Sequence, residues 1–242
     1  MHYKKGLFIL FEIMQLALLR SLFLGGYIMK SFFNLFTDSA KSLKDLRTVA
    51  TAGMLLAMAV AIRSLGIQVT PDLRIVFTCV PVAIIGLLYG PVVCGMSTFA
   101  LDLIGFLIDN KTARGYSPEL AAVVILSGII YGIFLYKRTI KPQWSDLVRV
   151  ALARLCVIVF CNICLNSYFL YTLYINPDFS LFGATAEMRD AFAVWISPRV
   201  IKNLGQFPID FVLLATVIPA AQAAYSKVRA QFSGNARRAS ER

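Results

Sequence analysis

Four polar residues stand at helical spacing inside the last apolar stretch of the chain: Arg199, Asn203, Gln206 and Asp210. Steps of four, three and four residues place them on one face of a helix. In a bilayer such a face turns toward a cavity or the bundle interior, because lipid supplies no hydrogen-bond partners. Interhelical bonding, at about 0.6–2 kcal/mol per contact, is one use for it. We read it instead as the lining of a solute site, since the stripe begins at the mouth of the segment. Pro208 adds an acceptor nearby by freeing the carbonyl of Leu204. Two further cations, Arg63 and Arg74, stand at the mouths of other apolar segments, on the same side as Arg199. Cations placed there point to an anionic, hydrogen-bonding solute.

Other residues extend the constellation. Asp102 lies within FALDLIGFL, where an isolated carboxylate is costly unless it is protonated, paired or hydrogen-bonded. Holding an arginine from another helix and accepting from ligand N–H groups are both open to it. Asn162 and Asn166 are four residues apart and are followed by Ser167, Tyr168 and Tyr171. They suit either a bridge between helices or a ligand wall. Tyr131 offers an aromatic wall with a polar tip.

The same inventory excludes most catalysis. The single histidine, His2, stands in the N-terminal extension, so no Ser–His pair can form among the apolar segments. Cys161 and Cys164 form a C-x-x-C, but the surrounding VIVFCNICL is a lipid-class helix, and packing is the expected role. Metal-ligand spacing is missing, and no cofactor is expected. No G-x-x-x-x-G-K-[ST] occurs, so the chain holds no ATP of its own. A Ser–Lys or Asp-based enzyme through Lys202 with Asp102 or Asp210 is a remote alternative. A channel fits poorly, because the stripe fades into VLLATVIPAA, as in a pocket with a closed bottom.

The elements that must carry these residues are six apolar helices. The chain is 58% hydrophobic and only 15% charged over 242 residues, the composition of an all-α polytopic membrane protein. Apolar segments run over about 46–65, 75–89, 92–108, 120–136, 148–174 and 195–221, and roughly 20 residues suffice to span the hydrocarbon core. Gly90-Pro91 makes a tight hairpin between the second and third. The net charge of +11 is gathered at segment ends and in the tail, which fits membrane topology and not nucleic acid. Lys41, Lys44 and Arg47, then Lys137, Arg138, Lys141 and Arg149, then the tail from Lys227 to Arg242 share one side. The positive-inside bias makes that side the cytoplasm, with both termini there. The loops 66–74, 109–119 and 175–194 then face outward.

Three units follow. Residues 1–45 form an N-terminal extension and cytoplasmic lead-in, 46–221 the six-helix membrane domain, and 222–242 a basic cytoplasmic tail. In 1–28, Glu12 and Arg20 interrupt an apolar run. It reads as an interfacial helix, a signal-like segment or an upstream misreading with the start at Met29, and we take the last as the expectation. On the first helix Gly53, Ala57 and Ala61 repeat every four residues, with Ala50 alongside. Such a face admits close approach of another helix, inside the bundle or from a partner. Arg63 points about 120° away from it.

These residues resemble a known family. LRIVFTCVPVAIIGLLYGPVVCGMSTFALDLIG is similar to the second and third helices of the substrate-binding (S) components of energy-coupling-factor (ECF) transporters. GIIYGIFLYKR, NICLNSYFLYTLY and SPRVIKNLGQFPID resemble the fourth to sixth helices of the folate-specific members, and TDSAKSLKDLRTVATAGMLLAMAVAI their approach to helix one. The resemblance spans residues 32–220 or so and implies the S-component fold. It also implies capture of a folate-class vitamin outside the cell, and docking to a transmembrane coupling protein that carries two ABC-type ATPases. It maps docking onto Gly53, Ala57 and Ala61, and pterin contacts onto Arg63 and Asn203. Folate chemistry agrees with the residue types. Arginine matches carboxylates bidentately, and asparagine both donates and accepts along a heterocycle edge. Arg74 and Arg199 would then meet the glutamate carboxylates, with Asp102, Tyr131 and Asn166 completing the site. An S component for another vitamin, such as a pantothenate-like anion, is the alternative.

Overall fold

The structure is a computed structural model that describes residues 33–70, 73–109, 115–141, 143–180 and 185–240. Of 67–70, 73–75, 109, 229 and 232–240 it describes the backbone alone. The expectation for 1–28 lies outside the described residues.

A lead-in helix, described over 33–42, precedes α1 (Leu46–Ser64). Asp45 caps α1 by accepting from the amide of Arg47 at 3.1 Å, one of the orphan donors of the first turn. The loop after α1 is a small antiparallel hairpin, β1 (Ile67–Thr70) and β2 (Leu73–Ile75), with Gln68 opposite Arg74. It is an ornament on a helical fold. Next come α2 (Cys79–Asp109) and α3 (Pro118–Leu135), followed by α4 (Trp144–Cys156). A π-helical stretch, Val157–Asn166, leads without a break into α5 (Ser167–Tyr174), and α6 (Ala186–Ser240) closes the bundle. α6 starts nine residues before the apolar run at 195 and continues past 221. There Gln222 binds the α3–α4 loop, accepting from Ile140 N at 2.9 Å and donating to Arg138 O at 2.8 Å.

Among the described residues five helices are long and apolar enough to cross a membrane. One of them supplies two of the six expected crossings. α2 breaks at Gly90, whose φ of 87° favours glycine, and Pro91 opens the second half as an N-terminal proline does. Cys94 Sγ donates to Val82 O at 3.3 Å across this break. In a straight helix those residues would stand about 18 Å apart, so the halves run back along each other. The buried Ser39 of the lead-in helix pins the elbow. Its hydroxyl donates to Tyr89 O at 2.7 Å and accepts from Val92 N and Val93 N at 3.1 and 3.3 Å. At the same end Thr51 of α1 hydrogen-bonds the Tyr89 hydroxyl, and Tyr89 meets Tyr225 of α6 edge to face at 6.1 Å.

α6 shows why the fold needs a bilayer. Arg199, Asn203, Gln206 and Asp210 are buried, while Ile201, Leu204, Ile209 and Val212 on the other face are exposed. Water would reverse that arrangement, whereas lipid favours it. The inward stripe continues as Leu214 and Ile218, both fully buried. Its polarity therefore ends where the core closes. α1 contributes differently. It packs on α2 through Ala52 and Ala59, and leaves Gly53, Ala57 and Ala61 exposed. A Cβ on Gly53 would meet nothing within 4 Å. The small-residue face is therefore not used for packing inside the described monomer.

Candidate solute-binding cavity

A cavity of about 360 Å³ lies between α2, α3, the α4–π–α5 run and α6, within the usual range for small-ligand sites. α1 gives it no side chain. Its floor is an ion pair that the sequence reading did not single out. Arg154 donates to Asp210 Oδ2 from Nε at 3.1 Å and from a terminal nitrogen at 2.5 Å, and its other terminal nitrogen donates to the Tyr131 hydroxyl at 3.1 Å. Gln206 Nε2 donates to Asp210 Oδ1 at 3.4 Å and to Val76 O at 3.2 Å, and Cys79 Sγ donates to Asp210 Oδ1 at 3.6 Å. Both carboxylate oxygens are thus taken, as a buried charge requires. One network ties together α2, α3, α4 and α6.

The wall above is built from amides. Asn162 Nδ2 donates to Asn203 Oδ1 at 3.3 Å, and Asn203 Nδ2 donates to Arg199 O at 2.8 Å. The π-helix makes this wall possible. Val157 and Asn162 both line the cavity, yet five residues on an α-helix are about 140° apart. An i→i+5 ladder stacks them on one face, a feature often found at functional sites. Asn166 and Leu170 continue the lining. At the upper end the guanidinium carbon of Arg199 sits 4.3 Å from the Trp195 ring centroid, a cation–π contact. Trp195 belongs to an aromatic group with Tyr171, Phe179 and Phe192, whose ring centroids lie 4.9–6.2 Å apart. Phe179 is buried there, so the α5–α6 loop is anchored over this end.

Of the residues expected from sequence, Tyr131, Asn166, Arg199 and Asn203 converge on the cavity. Arg63 and Asp102 do not line it. They pair with each other at 3.7 Å, and Arg63 also donates to Leu101 O at 3.4 Å, directly behind a lining residue. The guanidinium lies over Gly105, where a Cβ would come within 2.2 Å of its carbon. Arg74 has its backbone in β2, and its side chain lies outside the described residues. Two charged lining residues were not named as contacts, Arg154 and Lys202. The signal for Arg154 was present, since a cation six residues inside the run 148–174 demands a partner as much as Asp102 does.

A bundle of apolar-faced helices around a polar, closed-bottom cavity defines a multi-pass membrane protein built to hold a small solute. The family described as "ECF transporter, substrate-specific component" matches residues 47–218, and the chain belongs to it. It is therefore a transporter component and not an enzyme. The folate transporter FolT of Leuconostoc mesenteroides subsp. mesenteroides is 31% identical over 166 residues, covering 69% of this chain and 81% of that protein. The folate transporter FolT of Clostridium novyi is 29% identical over 152 residues, covering 63% and 76%. A crystal structure of FolT bound with folic acid superposes with a TM-score of 0.57 at 32% identity, covering 72% of this chain and 93% of that one.

Proposed function

We propose that this chain captures folate or a reduced folate at the outer face of a bacterial plasma membrane and delivers it to an ECF module for ATP-driven uptake. The carrying observation is the amide wall Asn162–Asn203–Arg199, fixed by its own hydrogen bonds beside a lining of three cations and no carboxylate. A flat heterocycle with donors and acceptors on one edge suits the amides, and its anionic tail suits the cations. The folate relatives support the choice of vitamin over a pantothenate-like anion.

In this reading Asn203 and Asn166 read the pterin edge, Tyr131 backs the ring, and Arg199 with Arg74 meets the glutamate tail at the mouth. Arg63 reaches the ligand by leaving Asp102. Both termini stand in the cytoplasm. The exposed face of Gly53, Ala57 and Ala61 docks the coupling protein, which carries two ATPases. Asn203→Ala should weaken folate binding by roughly tenfold or more, since a lost neutral hydrogen bond plus an unsatisfied partner costs about 1–3 kcal/mol. Calorimetry on the purified variant measures it, and unchanged affinity would remove Asn203 from the site. Ala57→Leu should leave that binding intact and abolish uptake in cells that supply the coupling proteins. Uptake at the wild-type rate would move the docking face elsewhere.

A further inference from the structure

Lys202 is the one cavity cation that neither the stripe nor the floor accounts for. It lines the cavity, and its ammonium has no hydrogen-bond or ion-pair partner among the described residues. Asp210, the carboxylate buried on the same helix, is already held by Arg154, Gln206 and Cys79. A cation kept inside the membrane region without a protein partner calls for an acceptor from elsewhere.

Position on α6 gives the direction of that acceptor. Taking Arg199 as zero at 100° per residue, Asn203 falls near +40°, Gln206 near −20° and Lys202 near −60°. Asn203 bonds to Asn162 of the π-helix, so the positive side of α6 faces that wall. Gln206 bonds to Val76 O, so the negative side faces the start of α2, where the chain arrives from β2. Lys202 lies further round toward α2. The cavity therefore has an amide flank and an ammonium flank on opposite sides of one stripe.

We propose that Lys202 is the anion anchor of this cavity and takes an ionised carboxylate of the ligand, on the flank opposite the amide wall. The proposal rests on the folate reading above and deepens it. The ring edge lies against Asn203 and the π-helix, and the carboxylated tail turns toward α2 and leaves past β2, where Arg74 stands. A lysine ammonium suits this task, as a compact charge with three donors on a flexible stem.

The test compares folate with its dimethyl ester, which keeps the skeleton and loses both charges. Affinities are measured on detergent-purified full chain for the wild type, Lys202→Met and Lys202→Arg, with thermal melting as the folding control. Wild type should prefer folate over the ester by at least about tenfold. Lys202→Met should lose about tenfold or more on folate while keeping the ester within about twofold, and Lys202→Arg should retain most of the preference. Equal loss on both ligands, or loss on neither, overturns the anchor. If wild type ignores folate and its ester, the folate reading falls. The same variants are then compared on whichever carboxylate-bearing vitamin binds and on its neutral ester. A loss confined to the carboxylate supports the anchor, and silence to every carboxylate overturns it.

Discussion

Among the described residues, two arginine–aspartate pairs join different helices of the membrane-spanning part, and they are built to different standards. Arg154–Asp210 closes at 2.5 Å with side chains 8% and 0% exposed, and every oxygen of the carboxylate has a donor. Arg63–Asp102 stands at 3.7 Å with side chains 27% and 17% exposed, beyond the usual hydrogen-bond distance. The first joins four elements beneath the cavity, and the second joins α1 to the second half of α2 beside it. A saturated pair cannot release its arginine without stranding a buried charge. A loose pair can exchange its aspartate for a ligand group at small cost. Geometry thus assigns the floor to structure and gives Arg63 the looser of the two holds.

Breaking the floor should have the largest effect. Asp210→Ala strands the Arg154 guanidinium and should destabilise the protein by about 3–5 kcal/mol. That would appear as a collapse of thermal stability and of monodisperse yield in detergent. The double variant Arg154→Met, Asp210→Leu should recover much of that loss, because it removes both charges together. A single variant as stable as wild type would contradict the role given to the floor.

The looser pair separates binding from stability. Arg63→Ala should weaken folate by roughly tenfold while changing stability by no more than about 1 kcal/mol. Asp102→Asn should leave folate affinity unchanged or a few-fold tighter, because it removes the competitor for Arg63. A drop in affinity with Asp102→Asn would instead make Asp102 a ligand contact, the other role its position in FALDLIGFL leaves open.

The smallest effect belongs to a third pair, outside the spans. Lys137 Nζ lies 2.5 Å from Asp38 Oδ2 on the exposed surface. The lysine's hydrogen bond and charge hold the Asp38 carboxyl below its ordinary value of 3.8. A depressed folded pKa means the stabilisation is fully present above about 3.8 and is lost as pH falls through the folded value. Asp38→Asn should therefore lower the melting temperature slightly at neutral pH, less so in high salt, with the difference vanishing in strong acid. An unchanged difference in strong acid would contradict this.

The same comparison shows what the sequence made legible. Six crossings, the Gly90-Pro91 elbow and the stripe from Arg199 to Asp210 follow from hydropathy and period, which are local. The inward face turning apolar at Leu214 follows too, because VLLATVIPAA is read directly. The partner of Asp210 was not legible, since Arg154 lies 56 residues away on another helix and no local period links them. The π-helix was hidden for a related reason. Asn162 and Asn166 look like an α-helical i, i+4 pair, and only the folded backbone shows that Val157 and Asn162 share a face. The β1–β2 hairpin did leave a trace in IQVTPDLRIV, where β-branched residues flank a Pro-Asp turn signal.

The most direct test is a calorimetric titration of the detergent-purified chain, without ATP or partner proteins, against folate, pterin and unrelated vitamins. The expected result is one tight site per chain for folate, weaker binding of pterin and no signal from the others. Silence toward folate together with saturable binding of another vitamin would contradict the assignment.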